Sequence, residues 1–352
     1  MKSLILPPLS VLYSAITRTR LSLYRRGTFH STKLDRPVIS VGNITTGGTG
    51  KTPLVEWIAR TVAATGKRVC ILTRGYGRDN PARRVIVSDG NTVLATPSEA
   101  GDEPFLLATN LLGIAAVIAD ADRVAAGRHA ITQFNPDCFV LDDGFQHLRL
   151  ERDLNIVTID ATNPWGGGHL LPYGRLREPV SGLNRADCVV ITRTDQSPDL
   201  PALTDKLRHL TNAHIFHLRM RVTGIKQFNN APDIISSPDL TSSPDTDPSL
   251  ETLPSPVAAF CAIGNPHSFF NQLQHDLVVR KAFADHHRYT QHDINLLVEA
   301  ARRAGARSLI TTAKDAVKLH SLSIPLPCYT LEIEPQIENE SALVQQILMR
   351  LR

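Results

Sequence analysis

The sequence predicts an α/β fold in which a mostly parallel sheet carries helices on both faces and a smaller α/β unit follows. Between residues 37 and 195, short apolar runs alternate with segments of helical periodicity, which is the order that βαβ units produce. The runs are apolar throughout, as strands buried on both faces are. The same alternation returns after residue 257, so we expect a second sheet-forming unit there.

The elements of the larger unit are predicted in a regular order. Its strands are expected at 38–42, 68–73, 115–120, 137–143, 154–160 and 187–193, with a hairpin at 84–96. Residues 51–64 place Leu54, Ile58 and Val62 on one face of a helix that Gly66 would end. A further helix is expected to begin near Pro104.

The rest of the chain contains a connecting strand, a polar stretch and the smaller unit. Residues 213–222 predict a strand that leaves the first unit, and residues 231–256 are rich in Pro, Ser and Asp, which is typical of a mobile loop. Strands are expected at 257–264 and 306–312, with a helix from Asn265 and another at the end of the chain. These patterns divide the chain into an amphipathic segment (1–26), a larger α/β domain (27–212), a linker strand with its loop (213–256) and a smaller α/β domain (257–352).

Composition and charge exclude some broad classes of protein. The 352 residues are 42% hydrophobic and 20% charged, as in ordinary globular proteins. The net charge of +4 is too small for a general nucleic-acid binder, so we expect no nucleic acid among the partners. The five cysteines are far apart and form no C-x-x-C pair, which favours buried, reduced thiols in a cytosolic protein over a metal site or disulfides.

The first 26 residues predict a helix with two open interpretations. From Leu9 onward apolar residues recur at helical spacing, and Arg18, Arg20, Arg25 and Arg26 follow. A basic amphipathic helix can lie in a membrane interface, but it can equally pack on the protein's own core. Pro7 and Pro8 interrupt the apolar run, which is shorter than the ~20 residues of a spanning helix and has no small-residue cleavage site after it. We therefore expect neither a membrane span nor a signal peptide.

The strongest chemical signal is the stretch GNITTGGTGKTP at residues 42–53. A P-loop has the pattern G-x-x-x-x-G-K-[ST] between a strand and a helix, and here a threonine stands where the first glycine is usual. Small residues let consecutive N–H groups turn toward phosphate oxygens, while the lysine would reach the β- and γ-phosphates and the last threonine would ligate Mg²⁺. The predicted nucleotide-binding residues are Thr45, Thr46, Gly47, Gly48, Thr49, Gly50, Lys51 and Thr52.

Two acidic pairs have a chemical and a structural interpretation each. The run FVLDDGFQH ends a strand with Asp142 and Asp143, and a P-loop protein needs an Asp at a strand end to hold Mg²⁺, although D-G is also a common turn pair. Asp102 and Glu103 precede a predicted helix, where they could cap it or supply a general base for an acceptor hydroxyl. The residues alone favour the metal role for the first pair and leave the second pair open.

Basic side chains also follow several predicted strands. Guanidinium groups suit phosphates, and ligands bind at the carboxyl ends of parallel strands. The ADHHRYT run carries His286 and His287 beside Asp285; such a pair is usually structural, but a histidine can tune a catalytic aspartate. The arginines in question are Arg74 and Arg78, Arg123 and Arg128, and Arg175 and Arg177.

The T-R-T-D sequence at residues 192–195 supports an alternative function. It resembles the [NT]-K-x-D element with which GTPases read guanine, with Arg193 in place of the lysine. A GTPase or ATPase switch protein at the membrane is therefore the alternative to an enzyme that transfers phosphate. A membrane-binding protein with an idle P-loop is a third possibility, against which Lys51 and Thr52 argue.

Taken together, the motifs resemble those of the tetraacyldisaccharide 4'-kinase, or lipid A 4'-kinase, family. The resemblance runs from the N-terminal helix to residues 311–319, and in that family a threonine also stands at the position of Thr45. It implies a P-loop kinase-like sheet with a smaller C-terminal α/β domain joined by a β-strand linker. The motifs that carry it are, in order, GNITTGGTGKTP, TRGYGR, GDEP, DDGFQH, LLPYGRLREP, FCAIGNP, ADHH and TTAKDAVKL.

The resemblance implies a reaction as well as a fold. ATP and Mg²⁺ are the implied cofactors, and the γ-phosphate would pass to the 4'-hydroxyl of a tetraacylated glucosamine disaccharide 1-phosphate, giving lipid IVA. Asp102 would be the base with His286 as its partner, the adjacent His287 staying open, and Asp142 and Asp143 would hold the metal. The other implied contacts are Arg177 at the reacting phosphate, Arg74 and Gln146 at the nucleotide, and Asn43, Arg123 and Glu178 at the substrate.

The resemblance also favours the membrane interpretation of the N-terminal helix, because a substrate with four acyl chains stays in the bilayer. It implies a peripheral protein on the cytoplasmic face of the inner membrane with no obligate protein partner. Since phosphoryl transfer depends on positioning and on charge stabilisation, we hypothesise that the two α/β units close to bring Asp102 and His286 together.

Overall fold

The computed structural model describes residues 2–228, 253–273 and 275–351, with side chains from residue 6 onward. Most of the predicted Pro/Ser/Asp-rich loop, residues 231–252, lies outside the described residues.

The described strands and helices alternate as the sequence predicts. The strands are β1 (Val38–Asn43), β2 (Val69–Thr73), β3 (Val85–Ser88), β4 (Ala115–Ala119), β5 (Cys138–Asp142), β6 (Leu154–Asp160), β7 (Cys188–Thr192), β8 (His214–Phe228), β9 (Val257–Cys261), β10 (Leu277–Ala282), β11 (Ser308–Thr312) and β12 (Cys328–Ile337). The helices are α1 (Lys2–Arg25), α2 (Lys51–Ala63), α3 (Pro97–Ala100), α4 (Asp102–Asn110), α5 (Arg123–Phe134), α6 (Leu200–Leu210), α7 (Pro266–Gln272), α8 (Gln291–Arg303), α9 (Ala313–Ala316) and α10 (Glu340–Met349).

The strands of the described chain form one continuous sheet. Their order is β10-β9-β11-β12-β8-β7-β6-β1-β5-β2-β4-β3, and the ladders are parallel except for β3 with β4 and β8 with β12. Strand β1 lies between β5 and β6, with Val41 opposite Asp142 and Asn43 opposite Thr158. The carboxyl ends of β1 and β5 therefore meet at one edge, which is where ligands bind in open parallel sheets.

The β8–β12 ribbon joins two hydrophobic cores. In the larger core, Leu54 and Ile58 of α2 are fully buried together with Leu343 and Ile347 of α10. A second core lies around Phe260 of β9 and the apolar face of α8. The α/β fold class is confirmed, whereas the domain boundaries drawn from the sequence stay a prediction. The last helix of the chain packs in the core of the larger unit.

Two local predictions need correction. Only the first arm of the predicted 84–96 hairpin is a strand; β3 pairs with β4, and a single bridge joins Ser88 to Val93. The second arm is short because Pro97 already begins α3. The connecting strand β8 extends to Phe228, well beyond the predicted end, because β12 pairs along it. The helix predicted within residues 1–26 is present as α1, which continues through Pro7 and Pro8.

The structure also describes the surroundings of the cysteines and the character of the helices. All five cysteines are buried, and none forms a disulfide. Among the described residues, no helix combines the length and apolar character needed to cross a bilayer.

Candidate active site

A cavity of about 1700 Å³ opens at the carboxyl ends of the central strands. The loop from Thr46 to Pro53 forms one wall, and side chains from the smaller unit, His286 and Lys314, face it. The cavity thus brings together segments that are more than two hundred residues apart in the sequence. From the larger unit it is also lined by Arg74, Glu103, Arg123, Asp143, Gln146 and Arg177.

The loop after β1 turns sharply only at two of its glycines. Gly47 has φ +109° and Gly50 has φ +76°, which residues with a Cβ rarely adopt. Thr45 does not need this freedom. It forms an antiparallel bridge with Leu176, and Thr46 N–H donates to Arg175 O at 2.7 Å. The chain therefore stays extended through position 45, which explains physically why a threonine is accommodated there.

The backbone of this loop has N–H groups that can bind an anion. In the described chain, the N–H groups of Gly47, Gly48, Thr49 and Gly50 donate to no protein acceptor, and α2 begins directly after them. The Thr49 hydroxyl contacts Asn43 Nδ2 at 3.0 Å and Thr158 Oγ1 at 2.8 Å. Free amide donors at a helix N-terminus beside a lysine are the donor set that polyphosphates require, so the residues fit a nucleotide.

Asp143 contacts two positively charged side chains in the cavity. Its carboxylate lies 3.5 Å from Lys51 Nζ and accepts two hydrogen bonds from Arg177 Nη1, at 2.7 and 2.8 Å. Burial alone would raise the pKa of Asp143, but Lys51 and Arg177 outweigh it and lower the pKa to about 2. The backbone of Asp143 is left-handed, with φ +52°, a conformation that clusters at functional sites.

The neighbouring Asp142 lies deeper, and its pKa is shifted upward instead of downward. Burial, together with repulsion from Glu103 and Asp143, raises the pKa of Asp142 to about 7, and its carboxylate accepts a hydrogen bond from Thr73 Oγ1 at 3.1 Å. The described residues contain no group of three or more His, Cys, Asp or Glu side chains that could hold a metal. Mg²⁺ requires fewer protein ligands than that, because it keeps waters and binds substrate phosphates. Two adjacent carboxylates and the Thr52 hydroxyl at the cavity therefore fit Mg²⁺.

Asp102 and His286 come from different units and lie close together beside the cavity, which His286 lines. His286 Nδ1 lies 3.5 Å from Asp102 Oδ2. Asp102 does not cap its helix, because the N-cap position of α4 is Gly101, and the preceding α3 is capped by Thr96. His286 has φ +60°, a second left-handed residue at the site. Of the acidic pair that the sequence left open, Asp102 therefore does not cap its helix, and its carboxylate faces His286.

His287, the other candidate histidine, points elsewhere. Its Nε2 lies 3.1 Å from Asp293 Oδ2, and its ring stacks on Phe283. Asp293 also closes the capping box of α8 with Thr290. His287 therefore serves the start of α8, and His286 is the histidine beside Asp102.

Two lysines that the sequence analysis missed surround this pair. Lys314 Nζ lies 2.8 Å from Glu103 Oε1 and 3.4 Å from His286 Nε2. Lys318 Nζ lies 3.8 Å from Asp102 Oδ2. Burial would raise the pKa of Asp102, but His286 and the two lysines together lower it. Both lysines belong to TTAKDAVKL, directly after β11, so the rule that ligands gather at strand ends could have found them.

The predicted substrate residues Asn43 and Glu178 are buried and hold the loops of the site. Asn43 is fully buried and bonds Thr49, and Glu178 is 1% exposed and pairs with Arg185 at 2.7 Å. Gln146 Nε2 donates to Asn43 O at 2.8 Å and to Glu178 Oε1 at 2.7 Å. In this arrangement Asn43 and Glu178 position the loops, and their predicted direct contact with substrate stays untested.

The predicted arginines divide between the cavity and the scaffold. Arg74 and Arg123 line the cavity; the Arg123 Nε is buried without a hydrogen-bond partner, and burial lowers the pKa of this guanidinium. Arg78 instead bonds the backbone at Ala119 O, and Arg128 is exposed on α5. Arg175 packs its guanidinium against Gly47 of the loop.

Helix α1 lies at the mouth of the cavity and has one exposed apolar stripe. Tyr13 OH donates to Arg177 O at 2.8 Å, and Arg20 Nη2 donates to Gln146 O at 3.2 Å. On the other side, Leu9, Leu12 and Ile16 are 44%, 57% and 59% exposed. The helix therefore makes polar contacts with the protein beside the cavity and leaves its apolar stripe exposed.

Comparisons with known proteins agree on one family. The family model described as tetraacyldisaccharide-1-P 4'-kinase matches residues 2–352. The tetraacyldisaccharide 4'-kinase of Geobacter metallireducens is 43% identical, over 90% of this chain and 88% of its own length. That of Geobacter sulfurreducens is 42% identical, over 92% and 87%. A crystal structure described as the "apo" form of LpxK from Aquifex aeolicus in complex with ATP is 31% identical, with a TM-score of 0.74 over 98% of both chains.

Proposed function

This chain belongs to the tetraacyldisaccharide-1-P 4'-kinase family, and from that membership we propose how its cavity carries out phosphoryl transfer. The enzyme transfers the γ-phosphate of ATP to the 4'-hydroxyl of a tetraacyldisaccharide 1-phosphate and forms lipid IVA in lipid A biosynthesis. The observation that carries the proposal is the single cavity in which Lys51 and Asp143 of the larger unit face His286 of the smaller one.

The loop after β1 holds the triphosphate of ATP. The free N–H groups of Gly47 to Gly50 donate to phosphate oxygens, and Lys51 exchanges its contact with Asp143 for the β- and γ-phosphates. Thr52, Asp142 and Asp143 would hold Mg²⁺, which would neutralise charge on the phosphates. Arg177 and Arg123 stabilise negative charge on the transferring group, since both line the cavity beside Asp143.

Asp102 acts as the base. The oxygen of the 4'-hydroxyl forms a bond to the γ-phosphorus as the bond between that phosphorus and the β–γ bridging oxygen breaks, and the hydroxyl proton passes to Asp102. Because its pKa is lowered, Asp102 is ionised near neutral pH and can accept this proton. His286 holds the carboxylate from the other unit, and Lys318 and Lys314 keep it charged.

Helix α1 brings the site to its lipid substrate. We place its exposed stripe of Leu9, Leu12 and Ile16 in the interface of the inner membrane, on the cytoplasmic face, with the helix's arginines near lipid headgroups. The acyl chains of the substrate then stay in the bilayer while the sugar hydroxyl enters the cavity beside the helix.

A transfer assay tests the proposal. Purified protein is incubated with γ-labelled ATP, Mg²⁺ and tetraacyldisaccharide 1-phosphate in detergent, and lipid is separated from inorganic phosphate. We expect the label in the lipid, and we expect Asp102→Ala to lose transfer while still binding ATP. Label in inorganic phosphate alone would instead support the nucleotide-driven switch that the T-R-T-D sequence suggests.

A further inference from the structure

The T-R-T-D sequence at the end of β7 has no role in the reaction proposed above. Its Arg193 occupies the position of a guanine-reading lysine, but all three guanidinium nitrogens are engaged elsewhere. Nη1 contacts Asp160 Oδ2 at 2.5 Å, Nε contacts Ser268 Oγ at 2.8 Å, and Nη2 contacts Gly48 O at 2.8 Å. The side chain is 11% exposed. Arg193 is thus committed to the protein rather than open to a nucleotide base.

The residue before it makes a matching contact. Thr192 is fully buried, and its Oγ1 donates to Thr49 O at 3.0 Å. Two successive residues at the end of β7 therefore bind two successive carbonyl oxygens of the phosphate loop, those of Gly48 and Thr49.

These two contacts fix the direction of two peptide N–H groups. In a planar trans peptide, the C=O group and the following N–H group point in opposite directions. With the carbonyls of Gly48 and Thr49 turned toward β7, the N–H groups of Thr49 and Gly50 point to the opposite side of the loop. Neither N–H has a protein acceptor in the described chain. Converging free amides of this kind bind phosphate oxygens.

The surroundings hold Arg193 in an unusual backbone conformation. Its φ is +55°, which non-glycine residues seldom adopt unless neighbouring contacts impose it. Asp160 is also contacted by Asn265 Nδ2, at 3.3 Å, and Asn265 caps α7, the helix that carries Ser268. Arg193 therefore ties the phosphate loop to the first helix of the smaller unit.

We propose that Thr192 and Arg193 are positioning residues that set the phosphate loop in its polyphosphate-binding shape before a nucleotide arrives. Arg193 additionally links this shape to the docking of the smaller unit through Ser268. The inference rests on the proposed nucleotide site and deepens it. It also assigns to the T-R-T-D sequence a role in phosphate binding instead of recognition of a guanine base.

Calorimetric titration of the full-length protein with inorganic tripolyphosphate and Mg²⁺ tests this inference, because the probe has phosphates and no base. We expect Arg193→Ala to weaken tripolyphosphate binding on the order of 10-fold or more and Thr192→Val about 5-fold, while Thr192→Ser keeps the hydroxyl and the affinity. In the transfer assay, both weakened variants should raise KM for ATP more than they lower kcat.

Asp195→Asn is the matched control, because Asp195 is the exposed last residue of the same sequence. It should bind tripolyphosphate as the parent does and keep the same preference between ATP and GTP. A changed preference in this variant would assign the sequence to base reading and overturn the inference. Thr192→Val is nearly isosteric, so unaltered tripolyphosphate affinity in that folded variant would also overturn it. Failure of the parent itself to bind tripolyphosphate would reject the nucleotide site on which the inference rests.

Discussion

At the scale of single residues, the site contains carboxylates whose surroundings shift their pKa values in opposite directions. Lys51 and Arg177 lower the pKa of Asp143 to about 2, whereas burial and two nearby acids raise the pKa of its neighbour Asp142 to about 7. Asp102 is kept charged by a histidine and two lysines from the other unit. Such divergent pKa values among acids in one cavity are typical of catalytic sites.

Removing the charge of Lys314 should shift the pH dependence of the reaction. The lysine stabilises ionised Asp102, so Lys314→Gln raises the pKa of Asp102 and moves the acid limb of kcat/KM to higher pH, with a small effect on the plateau. Lys281→Gln removes the same charge from the exposed edge strand β10 and is the control. Because the pKa of Asp102 lies below its ordinary value of about 3.9, profiles of kcat/KM from neutral pH down to below that value check this; equal shifts in both variants, or none in either, would contradict it.

Replacing Asp142 by a neutral residue should stabilise the folded protein and lower its transfer activity. An acid whose pKa is raised by folding, here from 3.8 to about 7, binds more protons in the folded state, so it costs stability increasingly as the pH rises across that range. Asp142→Asn should therefore increase the free energy of unfolding at pH 8 by on the order of 2 kcal/mol, with little gain near pH 4. Transfer activity should fall, because a proposed Mg²⁺ ligand is lost.

Denaturant unfolding without nucleotide measures the effect of Asp142→Asn at both pH values. Asp153→Asn offers a comparison, since Asp153 accepts a hydrogen bond from Val38 N–H at 2.8 Å outside the cavity. The prediction is wrong if the change in unfolding free energy from the parent to Asp142→Asn is less favourable at pH 8 than at pH 4. That result would show that other groups in the folded protein stabilise the buried charge of Asp142.

At the scale of elements, helix α1 connects an exposed apolar stripe with residues that line the cavity. Its Tyr13 and Arg20 donate hydrogen bonds to the backbone of Arg177 and Gln146, while the side chains of its apolar stripe are 44% to 59% exposed. The same helix can therefore contact both the bilayer and the backbone that carries a cavity arginine.

Charging that stripe should release the protein from membranes. In the double variant Leu12→Asp and Ile16→Asp, two apolar side chains proposed to lie in the interface become acidic, so binding to anionic lipid vesicles should weaken by on the order of 100-fold. Transfer to detergent-dispersed substrate should be retained. Leu296→Asp alters a leucine that is 52% exposed on α8 and serves as control. Vesicle sedimentation measures binding, and undiminished binding of the double variant would reject the anchor.

At the scale of the whole molecule, the β8–β12 ribbon and α10 return the chain to the larger unit. The last helix packs Leu343 and Ile347 in the core that also holds Leu54 of the phosphate-loop helix. The C-terminal helix is thereby a structural part of the nucleotide-binding unit, although more than a hundred residues separate it from β7.

Truncating a buried side chain of α10 should therefore destabilise the larger unit. Leu343 is fully buried, so Leu343→Ala should cost about 3 kcal/mol of unfolding free energy, whereas Met349→Ala, at a residue that is 47% exposed, should cost little. Denaturant unfolding followed by tryptophan fluorescence measures both, since Trp57 packs against this core. Equal costs would show that α10 contributes nothing to that core.

The sequence predicted what local patterns determine and missed what only the tertiary fold decides. Apolar runs gave the central strands, and the strand-end rule placed Asp142 and Asp143 correctly beside the phosphate loop. The choice between His286 and His287 needed the fold, because it depends on the left-handed backbone of His286 and on the pairing of His287 with Asp293.

Other features of the site could not be predicted from the sequence for related reasons. The sequence analysis did not single out Lys314 and Lys318, because their contacts with Glu103 and Asp102 depend on how the two units pack together. Arg193 looked like a base reader because its local sequence does not reveal that Gly48 and Ser268 lie within reach. Burial of Asn43 and Glu178 likewise follows from packing between distant segments.

The most direct test of the central claim, that Asp102 and His286 from separate units act together on the acceptor hydroxyl, is a double-mutant cycle. Single-turnover transfer rates are measured for Asp102→Ala, His286→Ala and the combined variant at saturating ATP and lipid. If the two residues act as one unit, each single change lowers the rate strongly and the double change lowers it little further. Rate losses that multiply in the double variant, with ATP affinity unchanged throughout, would contradict the account.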